Sequence, residues 1–108
     1  MRYMLLICVD DSVRVSGEER SPEPWVEEMQ RRGVRRDGSR LRPVSDATTV
    51  RLRGGEVVLS DGPFAETKEH IAGYDIIECE DLDEAIEVAS KHPVASFGAI
   101  EVRPFWEE

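Results

Sequence analysis

Seven consecutive residues, Tyr3 to Val9, are apolar without interruption, and this run restricts the fold more than any other feature of the chain. As an extended strand it places Tyr3, Leu5, Ile7 and Val9 on one side and Met4, Leu6 and Cys8 on the other. A strand with one wet face alternates apolar with polar residues; a strand that does not alternate has both faces covered. Any fold for this sequence must therefore bring two layers to its first strand. The run is too short to cross a bilayer, which needs about 18 apolar residues or more. It also lacks the small-residue cleavage site of a secretory leader and ends in Asp10-Asp11, so a first strand and a cytoplasmic setting are expected.

Two helices are available to supply the first layer. Ser21 as cap, Pro22 at the first position and Glu23, Glu27 and Glu28 suit a helix start. Trp25, Val26 and Met29 form its apolar stripe, Arg31 and Arg32 complement its negative end, and Gly33 stops it. The second helix opens at Asp81, with Glu84 three residues on as a capping box. Leu82, Ala85, Ile86 and Ala89 follow helical spacing, Lys91 and His92 suit the last turn as cations, and Pro93 ends it. Asp10 to Arg20 reads as a loop around Ser16-Gly17.

Between and after the helices the pattern is that of strands. A brief strand is expected around Leu41 to Val44. Thr48–Arg53 and Glu56–Ser60 flank Gly54-Gly55, a two-residue hairpin loop of the kind right-twisted strands require. That loop sets Arg53 opposite Glu56, Leu52 opposite Val57, Arg51 opposite Val58 and Val50 opposite Leu59. Val50, Leu52, Val57 and Leu59 then share one face, and Arg51, Arg53 and Glu56 the other. Ile71–Glu80 and Phe97–Val102 read as further strands. The sum is a single α+β domain, a sandwich with an antiparallel sheet and two helices on one face. Its other face is left bare, so a second copy packing sheet to sheet is the expected cover, and a homodimer follows.

A net charge of −9 argues against nucleic acid as a partner, because phosphate neutralisation needs clustered cations. Arg31, Arg32, Arg35, Arg36, Arg40 and Arg42 are the exception, crowded into twelve residues. Charge runs of this kind usually face water, though they also suit an anionic ligand or an acidic partner surface. Cys8 and Cys79 lie in strands and are expected as reduced, buried thiols. His70 and His92 sit in different elements, and no metal spacing, phosphate loop or nucleophile elbow occurs, so neither a metal nor a cofactor is expected.

The hairpin feeds a sharp corner, Asp61-Gly62-Pro63-Phe64-Ala65-Glu66-Thr67-Lys68-Glu69. Gly62 supplies torsional freedom, Pro63 locks its own φ, Asp61 is placed to accept turn N–H groups, and Phe64 is the apolar group available to anchor the bend. Asp-Gly-Pro-Phe followed by Ala-Glu-Thr-Lys-Glu closely resembles the signature of the DGPF branch of the YCII-related family. The likeness runs from Met1-Arg2-Tyr3-Met4-Leu5-Leu6 to Val102-Arg103-Pro104. It implies a small bacterial protein with a ferredoxin-like, dimeric α/β-barrel architecture. The wider group carries a His–Asp pair with the histidine near the start of the first helix. Here that region reads Ser21-Pro22-Glu23-Pro24-Trp25, so the pair does not carry over.

Three functions fit these residues. The first is a regulatory or small-molecule-binding module; the resemblance implies an extracytoplasmic-function sigma factor as a protein partner, with the arginine cluster as contact surface. The second is a cofactor-independent enzyme of lyase, isomerase or hydrolase type, in which Asp61 and His70 act as acid and base. Gly62, Pro63, Phe64, Glu66, Thr67 and Lys68 would then shape the corner, with Tyr3 and Tyr74 as sheet-face neighbours. The third is a purely structural interaction domain.

Overall fold

The computed structural model describes residues 1–13, 17, 21–65 and 67–107. Ten elements lie among the described residues, two of them single 3-10 turns. β1 spans Arg2–Asp10, α1 Glu23–Arg31, β2 Arg35–Arg40, β3 Thr48–Arg53, β4 Glu56–Asp61, β5 Glu69–Glu78, α2 Leu82–Ser90 and β6 Ala99–Pro104, with 3-10 turns at Val44–Asp46 and Pro93–Ser96. β2, β5, β1 and β6 lie side by side in one antiparallel sheet; β3 and β4 form a separate two-stranded sheet. With the hairpin set aside, this is the strand order of a ferredoxin-like α+β sandwich, with β1 at its centre.

β1 has the two-sided character that its composition requires. Tyr3, Leu5, Ile7 and Val9 are buried against Trp25 and Met29 of α1 and Ala85, Val88 and Ala89 of α2. The Trp25 indole N–H donates to the Val88 carbonyl at 3.0 Å and so ties the helices together beneath the sheet. Met4, Leu6 and Cys8 point the other way and are only half-buried, beside Tyr74 and Ile76 of β5. Among the described residues one covering layer is present and the second is not.

Several boundaries differ from the sequence pattern, each for a physical reason. The expected strand at Leu41–Val44 lies instead at Arg35–Arg40, a polar run whose place in the sheet comes from its ladder with β5 and not from apolar alternation. It is an edge strand, bulged between Arg35 and Asp37, where polar residues are tolerated. Ser21 does not cap α1: Pro22 holds that position and the Ser21 hydroxyl donates to Glu23. Asp81 does cap α2, accepting from the Glu84 N–H at 2.9 Å, but the buried stripe is Ala85, Val88 and Ala89, with Leu82 and Ile86 exposed. Cys79 is buried and its thiol is pushed up to about 11 by burial, whereas Cys8 is half-exposed on the open face. Most of the loop expected at Asp10–Arg20 lies outside the described residues.

The hairpin has the register that Gly54-Gly55 dictates, Arg53 facing Glu56 and Val50 facing Leu59. Both glycines have positive φ, 57° and 80°, as a primed turn demands. Its base is closed by the Gly62 N–H to the Ala47 carbonyl at 2.8 Å and by the Thr49 hydroxyl to the Gly62 carbonyl at 2.9 Å. Beyond that base it stands away from the sandwich. The radius of gyration is 15.8 Å, against about 13 Å for a compact chain of 100 residues.

Candidate functional site

The sheet and the start of α1 enclose a cavity of about 920 Å3, within the range of small-molecule sites. Its floor is the helix-side face of β1 and β5, where Ile7, Val9, Ala72 and Gly73 present little bulk. Val26 of α1 and Val94 and Phe97, before β6, add apolar wall. Polar groups enter from β2 and its continuation, from His70, and from His92. The glycine at 73 matters, because an added Cβ there would press on the Ser39 backbone carbonyl at 2.9 Å.

Arg35 and Asp75 form the most enclosed polar pair. The Arg35 Nε donates to Asp75 Oδ1 at 2.8 Å, with side chains 14% and 9% exposed. Burial raises the Asp75 carboxyl above its ordinary range, and the Arg35 hydrogen bond works against that shift. Arg35 was expected in a solvated cluster; the sheet register turns it inward. Arg42 is exposed and pairs with Asp46 at 2.8 Å. Arg40 lines the cavity and has no carboxylate partner among the described residues.

The two histidines behave differently. His70 sits on β5 opposite Val9, on the helix side, with a side chain 17% exposed. Its Nε2 lies 3.5 Å from the Asp11 carboxylate, which projects from just beyond β1. His92 is not the helix-end cation that its sequence position implies. It is 5% exposed, and burial lowers it to about 4, so the ring is neutral at pH 7. Its Nδ1 accepts from the Val94 N–H at 3.1 Å, which puts the proton on Nε2. Trp25 meets the ring edge-on, with centroids 4.8 Å apart.

The corner residues lie elsewhere. Asp61 ends β4, is exposed, and is not among the described residues that line the cavity. Phe64 does not anchor the bend in a core: it is 80% exposed, with the Arg51 guanidinium over its ring at 5.5 Å. Gly62 does take up positive φ, 95°, as the turn needs. Pro63 is half-buried, Lys68 is exposed, and the Thr67 hydroxyl donates to the Glu69 carbonyl. Glu66 lies outside the described residues. Tyr74 borders the cavity; Tyr3 is buried in the core, its hydroxyl 3.6 Å from the Met1 sulfur. The structure thus brings His70, Asp11, Arg40 and His92 to one cavity and leaves Asp61 on the hairpin.

Asp11, Asp75 and the neutral His92 escaped the sequence reading. Asp11 looked like the end of a strand, and Asp75 carried no signal of its own within the strand expected at Ile71–Glu80. His92 had one signal: a histidine directly before Pro93 can cap the turn that the proline starts.

Fold and cavity together define a small α+β domain of the ferredoxin-like kind with a pocket between sheet and helix. The chain belongs to the YCII-related domain family, whose model matches residues 1–108. An uncharacterised protein of Rhizobium meliloti (strain 1021), R00369, is 37% identical over 113 residues, covering 96% of this chain and 91% of that protein. Among the described residues, no group of three or more His, Cys, Asp or Glu side chains could hold a metal ion, and no helix is long and apolar enough to cross a membrane.

Proposed function

We propose that this chain is a homodimeric, small-molecule-binding module of the DGPF branch of its family, and that its ligand is an organic acid. The observation that carries the reading is the cavity itself, apolar over its floor and bordered by Arg40, which has no carboxylate partner among the described residues. The apolar floor would take the body of the ligand, and the guanidinium fork its carboxylate. His92, neutral and with its proton on Nε2, adds a hydrogen-bond donor without adding charge. A second copy, packed on the half-buried face of Met4, Leu6, Tyr74 and Ile76, would supply the layer that β1 lacks.

A thermal-shift screen of aliphatic and aromatic carboxylates tests the ligand class. At least one should raise Tm by several degrees, and Arg40→Ala should abolish that rise. A panel that leaves the wild-type Tm unmoved sinks the reading. A sigma factor of the extracytoplasmic-function type is the protein partner that the Asp61–Phe64 motif favours, on resemblance alone; co-elution of the two purified proteins is its test.

Acid–base catalysis is the second reading, favoured by His70 standing in the same cavity with a carboxylate 3.5 Å away. Asp11 is that carboxylate within one chain; Asp61 joins His70 only if a second copy's hairpin carries it across. A carboxylate that binds but emerges chemically unchanged after long incubation decides for the module.

A further inference from the structure

The β3–β4 hairpin exposes apolar surface that no other described residue covers. Val50, Leu52, Val57 and Leu59 share one face and are 63–66% exposed; Val58 and Phe64 are exposed on the reverse. That single face amounts to something on the order of 450 Å2, large for a patch that a monomer leaves in water. A two-stranded ribbon alone is marginally stable. Something must grip it.

We propose that the hairpin is an intersubunit clasp, its apolar face packing on a second copy of this chain. This rests on the dimer reading above and extends it from the sheet to the arm. Two observations select the occupant. First, the same chain carries a second apolar surface, the half-buried Met4–Leu6–Tyr74–Ile76 face of the main sheet. A stable interface takes about 800 Å2 from each partner, more than the arm alone offers and in reach of arm and sheet face together. A two-fold pairing buries both kinds of surface twice.

Second, the hairpin suits an apolar partner surface. Its two arginines, Arg51 and Arg53, are offset by Glu56 and Asp61, so the arm is neutral. Arg51, Arg53 and Glu56 lie on the reverse of the apolar face, which therefore meets a sheet face of its own kind with no cation to desolvate. An anionic membrane is a poor alternative, because the chain as a whole has a net charge of −9.

Sedimentation of the full chain across micromolar concentrations tests the clasp, with three proteins compared: wild type, Leu52→Lys/Leu59→Lys on the arm, and Ile71→Lys on the open sheet face. All three sites are exposed, so the sandwich should fold unchanged by circular dichroism. Wild type should dimerise, and the arm variant should dimerise about a hundredfold more weakly. If the arm variant keeps the wild-type dissociation constant while Ile71→Lys loses it, the dimer stands and the clasp is overturned. A wild type that stays monomeric removes both. If wild type floats with phosphatidylglycerol vesicles and the arm variant does not, with dimerisation equal, the arm belongs to a membrane and the clasp is likewise overturned.

Discussion

The Arg35 guanidinium reaches across from β2 to hold the Asp75 carboxylate of β5 at 2.8 Å, with both side chains largely withdrawn from water. It joins the edge strand to the sheet interior at the cavity wall, where the backbone ladder is bulged. Removing the cation leaves an enclosed carboxylate with its desolvation uncompensated. Arg35→Met should cost about 3–5 kcal/mol in urea unfolding. Adding Asp75→Asn should recover much of that loss, because the stranded charge is then gone. Equal instability in the single and double variants would show that the pair matters only through packing.

Gly38 lies opposite Asp75 in the register. A Cβ there would collide with the Asp75 carboxylate and the Arg35 guanidinium, and would stand 2.8 Å from the Tyr74 carbonyl. Gly38→Ala should therefore destabilise by about 2–3 kcal/mol, chiefly through overpacking. Gly17→Ala, whose added Cβ would meet no described residue within 4 Å, is the control and should be close to neutral.

His92 makes stability depend on pH below neutrality. Its folded pKa is lowered to about 4 from 6.5, so the unfolded chain binds the extra proton first. The stability it confers is complete above pH 6.5 and is lost as pH falls from there towards 4, by up to about 3 kcal/mol. His92→Asn keeps an acceptor for the Val94 N–H but cannot titrate, so its stability should be flatter across that window. Glu87, lowered to about 2 mainly by its hydrogen bond from Arg32, adds a further loss below about pH 4.5 in both proteins.

Trp25→Phe should destabilise by about 1–3 kcal/mol. The Val88 carbonyl loses the indole N–H at 3.0 Å, and the ring edge against His92 changes shape. A cost within a few tenths of a kcal/mol would mean the helices are held by packing alone. Urea midpoints at constant slope are the measurement.

How much of this was legible beforehand depended on whether the signal was local. Gly54-Gly55 fixed the hairpin register because the turn geometry is set by two residues and the strands follow from it. The uninterrupted run at Tyr3–Val9 announced a central strand. The polar strand Arg35–Arg40 was invisible, because its pairing partner lies some 40 positions away and its own residues show no period. The polar groups of the cavity were hidden for the same reason. Asp11 and His70 meet only because β1 and β5 are neighbours, and His92 is neutral because of a burial that no neighbour in sequence reports. Phe64, an aromatic at a tight bend, invited an inward reading that the isolated hairpin gives it no core to satisfy.

The arm departs just past Leu41, whose N–H still bonds to the Ala72 carbonyl, and the chain rejoins at Glu69 on the adjoining strand. Entry and exit are thus side by side, and the segment between them behaves as a cassette plugged into a finished scaffold. The core holds no residue of Thr48–Asp61, so on the clasp proposal substitutions there alter the choice of companion and leave the upkeep of the core on a separate clock.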